Sequence, residues 1–222
     1  MRARSPTTAS DDAGILDGMW PRTSAVAASV AVLVLLASAS VSAAPPASPD
    51  VAFVGDSISA SLDYVPAARR VLARQFDTSF DLPVCRRLVT DGCAFQGKVP
   101  TTALQAVRAR GRSLGDVLVV NVGYNEGSTG YRQGMRRIIR AAHAQGASGV
   151  VWVTLREANP IYRPTNAAIR REAGRWRSVE VADWEAASRG QPWFREDGLH
   201  LNVAGANALA RLVRQHVGRV AR

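Results

Sequence analysis

The chain has 222 residues, 47% of them hydrophobic, 21% charged and 6% aromatic. That composition excludes a wholly disordered, collagen-like or coiled-coil protein and suits one domain of ordinary size. The formal charge is +10, from 28 Lys+Arg against 18 Asp+Glu, with Lys98 the only lysine; the arginines are dispersed along the chain, which points away from nucleic-acid binding and towards affinity for anionic cell-surface polymers.

In chain order, the first recognisable segment is residues 25–36, an almost unbroken aliphatic run (AVAASVAVLVLL), followed by small residues over 37–44 and then Pro45 and Pro46. About a dozen apolar residues fall short of the roughly 20 that span a bilayer. Val41-Ser42-Ala43 ends the run in an A-x-A-like cleavage site. Residues 1–43 therefore read as a secretory signal peptide, with an uncleaved membrane anchor as the alternative. Asp11, Asp12 and Asp17 stand where a positively charged n-region is expected; a start at Met19, giving Met19-Trp20-Pro21-Arg22, restores one. On either reading the protein is secreted or tethered outside the cytoplasm by this segment.

Residues 44–50 (APPASPD) form a proline-rich linker, and residues 51–222 are read as one domain. Strand-like runs occur at 51–54 (VAFV), more weakly at 78–82, and then at 117–122 (VLVVNV), 150–155 (VVWVTL) and 179–182 (VEVA). Runs that are apolar on both faces suit a parallel sheet covered on each side. Between them, Pro66 opens a helix through Val71 and Leu72. Tyr131, Met135, Ile138, Ile139 and Ala142 recur at helical spacing, as do Leu209, Leu212, Val213, His216, Val217 and Val220. The fold class predicted is α/β: a three-layer α/β/α sandwich with a central parallel sheet of about five strands.

Cys85 and Cys93 are the only cysteines, and neither has a histidine or further cysteine nearby to complete a metal site. Outside the cytoplasm such a short-range pair is expected as a disulfide pinning a loop. No other cluster has metal-ligand spacing, so neither metal nor cofactor is expected. His143 and His216 fall on helices and read as structural.

In an open parallel sheet, ligands sit beyond the carboxyl ends of the strands. The segments there are Gly55-Asp56-Ser57-Ile58-Ser59, Gly123-Tyr124-Asn125-Glu126 and Asp197-Gly198-Leu199-His200-Leu201. A serine hydroxyl becomes a nucleophile when an imidazole removes its proton and an acceptor orients that imidazole. Ser57, His200 and Asp197 fit those roles. The Ser57 N–H and the Asn125 amide are natural oxyanion donors, with a third from a glycine after the second strand, Gly97 first and Gly92 as the alternative. Tyr124, Arg156 and Tyr162 follow strands and are candidate substrate-binding residues. An α/β-hydrolase elbow would need glycine where Ser59 stands, and Lys98 lies in no phosphate-binding loop.

Gly55-Asp56-Ser57, a loop glycine, Gly123-x-Asn125 and Asp197-x-x-His200 resemble, in order, the four blocks of the SGNH (GDSL-type) hydrolase superfamily. The stretch from Cys85 through Cys93 to Gln96-Gly97, with Gly123-Tyr124-Asn125 and Thr154-Leu155-Arg156-Glu157, is similar to secreted actinobacterial-type members. The resemblance implies a flavodoxin-like fold and ester hydrolysis through a Ser57 acyl-enzyme, with base His200, orienting acid Asp197 and oxyanion donors Ser57, Gly97 and Asn125. Three departures stand out: Glu126 replaces the usual Asp of the third block, Ile58 replaces Leu in the first, and the second block is the weakest match. The expected substrate is a small-molecule or glycan-linked ester, handled by a monomer. The alternatives are acyl transfer to, or deacetylation of, a cell-wall glycan, and a non-catalytic glycan-binding module that keeps the fold.

Overall fold

The computed structural model describes residues 48–221; the expected signal or anchor over 1–43, and the linker up to residue 47, lie outside them. Strands β1 (Asp50–Gly55), β2 (Asp77–Asp81), β3 (Val117–Asn121), β4 (Gly149–Val153) and β5 (Val179–Ala182) pair in parallel in the order β2-β1-β3-β4-β5. Each expected strand is present, with ends shifted by a residue or two. The sheet has two apolar faces because both are covered. Ala52, Val54, Leu118 and Val120 enter one core, while Val51, Phe53, Val117 and Val119 enter the other.

Helices α1 (Ser61–Tyr64), α2 (Pro66–Ala73), α6 (Trp184–Ser188) and α7 (Val203–Val220) pack on the second core. Helices α3 (Ala103–Arg110), α4 (Tyr131–Ala144) and α5 (Arg163–Ala173) pack on the first. This is the expected three-layer sandwich. Local chemistry sets the helix starts: Pro66 opens α2, Asn202 accepts the Gly205 N–H at 3.0 Å to cap α7, and Thr102 and Gln105 cap α3 reciprocally at 3.1 and 2.8 Å.

Periodicity did not mark α5, for a physical reason. Its inward face carries Thr165, Asn166 and Glu172 beside Ala168, Ile169 and Ala173. The fully buried Glu172 is matched by α4, where Arg136 donates to both its oxygens at 3.0 and 2.9 Å and Arg132 reaches one at 3.3 Å. His143 bonds the Ala147 carbonyl and the Ser178 hydroxyl, each at 2.8 Å, and His216 meets Glu180 at 3.0 Å, so both are structural as expected. Among the described residues no helix is long and apolar enough to cross a membrane.

Strand order reverses between β1 and β3, whose crossovers leave towards opposite edges of the sheet. A crevice beyond their carboxyl ends follows from that topology. The residues leaving these two strands therefore define the place to look for chemistry.

Candidate active site

Gly55 ends β1 where a Cβ would come within 2.8 Å of Leu82 and Ser59, so the chain turns there only without a side chain. The next residue, Asp56, is fully buried and directs the turn. Its Oδ1 accepts the Ile58 N–H at 3.1 Å, and its Oδ2 accepts those of Gly123 and Tyr124 at 3.2 and 3.4 Å. Burial pushes the Asp56 carboxyl up to about 6, against the pull of those three donors. Ser57 stands half-buried on this turn, and its backbone N–H has no partner among the described residues.

Across the crevice, the His200 Nε2 lies 3.2 Å from Ser57 Oγ, and Nδ1 lies 2.7 Å from Asp197 Oδ2. The other carboxylate oxygen accepts the Leu199 and His200 N–H groups at 2.8 and 2.9 Å. These bonds, the Leu199 N–H first, hold the Asp197 carboxyl down at about 2. An ionised Asp197 accepts only, so Nδ1 carries a proton, and in the neutral imidazole Nε2 is the nitrogen that can accept from the serine. Gly198, at φ 66°, lets the loop turn tightly enough for acid and base to share it. The structure thus brings Ser57, His200 and Asp197 into one relay.

Asn125 lies on the other flank, in the loop after β3. Its Nδ2 donates to the Arg86 carbonyl at 3.1 Å, and Arg87 Nε donates to the Asn125 carbonyl at 2.6 Å. Glu126 accepts the Leu88 N–H at 2.8 Å, so the residue that departs from the family pattern braces the loop. Burial pushes the Glu126 carboxyl up to about 7. Arg86, which sequence reasoning passed over, is itself buried. Its guanidinium bonds the Asp81 carbonyl and carboxylate and the Thr101 carbonyl and hydroxyl at 2.7 to 3.1 Å. No motif signals that role, because an arginine in a loop ordinarily reads as solvated charge.

The two candidate second-block glycines sit elsewhere than expected. Gly97 occupies the exposed tip of a two-residue turn closed by Phe95 and Lys98 at 2.9 and 3.0 Å, with open space around it. Gly92 lies flat against the Cys85 carbonyl, which any Cβ would strike. The backbone that the Asn125 amide reaches is instead the Arg86 carbonyl, and Cys85 is the residue before it. Cys85, joined to Cys93 as expected, holds φ at 69°, a conformation usually left to glycine. Neither its N–H nor that of Arg86 has a partner among the described residues.

Tyr124, Tyr162 and Arg156 come together as one packed group. The tyrosine rings meet edge to face at 5.1 Å, and the Tyr124 hydroxyl accepts the Arg156 N–H at 2.6 Å. Burial pushes both phenols above their ordinary range. Among the described residues no group of three or more His, Cys, Asp or Glu is placed to hold a metal ion.

A model of the GDSL-like lipase/acylhydrolase family matches residues 53–208, which contain every element of this site. Among solved structures, TesA is similar with a TM-score of 0.59 and 17% identity over 77% of this chain and 99% of its own. The psychrotrophic esterase EstA from Pseudoalteromonas sp., solved with monoethylphosphonate as inhibitor, gives 0.54 and 13% over 77% and 97%. A carbohydrate acetylesterase family member from Sinorhizobium meliloti gives 0.54 and 14% over 77% and 98%. At such identities the likeness shows a shared fold. No match is found among curated proteins.

Proposed function

The chain belongs to the GDSL-like lipase/acylhydrolase family, and we propose that it is a serine esterase working outside the cytoplasm through a Ser57 acyl-enzyme. The observation that carries this reading is the relay from Asp197 Oδ2 to His200 at 2.7 Å and from His200 to Ser57 Oγ at 3.2 Å. Ser57 Oγ attacks the ester carbonyl while His200 Nε2 takes its proton, and Asp197 stabilises the imidazolium that forms. His200 then gives the proton to the leaving alkoxide. Water, activated by the same imidazole, releases the acid in the second half-reaction.

The oxyanion needs donors already in place. The Ser57 N–H is unengaged, and the Asn125 amide keeps one hydrogen after donating to Arg86. The third donor in this reading is the Cys85–Arg86 backbone, not Gly97. That segment carries unengaged N–H groups and is tied to Asn125 through the Arg86 carbonyl, and its left-handed residue stands where a glycine would be usual. Here the disulfide supports at Cys85 the turn that glycine would otherwise allow.

The Cys85–Cys93 bridge also supports an extracytoplasmic location, where such bonds persist. The substrate on this reading is a small-molecule or glycan-linked acyl ester. Ser57→Ala is expected to abolish hydrolysis of 4-nitrophenyl acetate, and a fluorophosphonate is expected to label Ser57 in the folded parent alone. A variant as active as the parent would refute the acyl-enzyme.

A further inference from the structure

We propose that Arg156 is a positioning residue: it fixes the peptide unit between Gly198 and Leu199, and through it the Asp197–His200 pair. Its effect on rate rests on the esterase reading above, whereas its geometry does not.

The backbone of Arg156 is immobilised before its side chain begins. The buried Asn166 accepts the Leu155 N–H and donates to the Leu155 carbonyl, both at 2.7 Å. Arg156 itself donates to the Tyr124 hydroxyl, and the Glu157 N–H donates to Glu185 at 2.6 Å. From that base the guanidinium lies over the Phe194 ring, 3.5 Å from its centroid, and its Nη1 donates to the Gly198 carbonyl. Phe194 pairs with Leu201 across the mouth of the same loop. Arg156 therefore grips both the base and the tip of the segment carrying Asp197 and His200.

The tip is the informative contact. One peptide unit presents the Gly198 carbonyl at one end and the Leu199 N–H at the other. That N–H donates to Asp197 Oδ1 at 2.8 Å and is the leading cause of the depressed Asp197 carboxyl. Gly198, at φ 66°, has no side chain to resist rotation of this unit. A flip would remove the N–H from Asp197 and the carbonyl from Arg156 together. By holding the carbonyl, Arg156 opposes the motion that would free the carboxylate, and a misaligned carboxylate no longer orients Nδ1 of His200.

Arg156→Ala is expected to lower kcat on 4-nitrophenyl acetate by about 10- to 100-fold while KM changes less than about threefold, because alignment is lost and not a substrate contact. The far-downfield proton resonance of His200 Nδ1–H, expected in the parent, should broaden or vanish. Arg156→Lys should restore part of both signals, since an ammonium can donate to Gly198 but cannot stack flat on Phe194. A folded Ala variant that keeps the parent's kcat and resonance overturns the proposal, and so does a loss confined to KM. If Arg156→Ala does not fold, Arg156→Lys and Arg156→Gln are read by the same criteria. A parent without esterase activity defeats the functional reading instead, and the resonance still decides the role of Arg156.

Discussion

Asp56 accepts the backbone N–H of Gly123 at 3.2 Å, and so ties the turn that presents Ser57 to the loop that presents Asn125. The same carboxylate also holds Tyr124 and Ile58. Asp56→Ala leaves three donors, two of them buried, without an acceptor, at a cost of about 1–3 kcal/mol for each that finds no water. Urea unfolding should show the loss, and on the proposed mechanism kcat should fall further than stability alone explains because Ser57 and Asn125 separate. Asp56→Asn keeps one acceptor oxygen and should lie between. An Ala variant with parental stability would show that the tie is dispensable.

Asp197 poses the opposite case, since its side chain is about half exposed. It serves two backbone N–H groups with one oxygen and the imidazole with the other. Asp197→Asn offers one acceptor oxygen for both tasks and an N–H that repels the Nδ1 proton. By analogy with triads in which the acid becomes an amide, kcat should fall by about 10³- to 10⁴-fold. The melting temperature should barely move, because so exposed a pair contributes little to folding. Steady-state kinetics beside a thermal melt separates the two effects.

Much of this was legible in the sequence, and the reasons differ by feature. The strands announced themselves because a sheet buried on both faces forces unbroken apolar runs such as Val117–Asn121. Ser57, His200 and Asp197, which the structure brings together, were legible as candidates because they carry their chemistry in side chains whose spacing is constrained. The segment proposed to complete the oxyanion site was not, since a backbone donor has no side-chain identity and the left-handed turn falls on Cys85 instead of a glycine. Arg156 was one candidate for contact with substrate, and its guanidinium is engaged by Phe194 and Gly198, partners about forty residues on that no local pattern links to it. Arg86 and Glu172 were passed over for the same reason: their compensating partners lie on other elements.

The disulfide offers a third test. Cys85 holds a left-handed backbone just before Arg86, whose carbonyl Asn125 bonds, and Cys93 closes the loop behind it. In the double variant Cys85→Ser and Cys93→Ser the chain is free to relax towards ordinary φ, which is favoured by roughly 1 kcal/mol or more for a non-glycine residue. Activity should therefore drop more than stability does. Cys85→Gly with Cys93→Ser should recover part of the activity, because glycine accepts that turn without a crosslink. Equal activity in all three proteins would remove the bridge from the account of the proposed oxyanion site.

Buried carboxyls give stability two opposed dependences on pH. Burial raises Asp56 to about 6 and Glu126 to about 7, so the folded chain holds these protons more tightly than the unfolded one. Their contribution is complete below about pH 4 and is lost as pH rises through about 6 to 7. Glu172 runs the other way. Hydrogen bonding to Arg136, the leading cause, holds it at about 2, so its contribution is present above about pH 4.5 and is lost as pH falls towards 2. The melting temperature should thus climb as pH is lowered from about 8 to about 5, then fall again below about 4. Glu126→Gln should flatten the upper slope and leave the lower one, and Glu172→Gln should do the reverse. Thermal melts across that range check both slopes, and a melting temperature that rises from about pH 5 to about pH 8 would contradict the burial of Asp56 and Glu126.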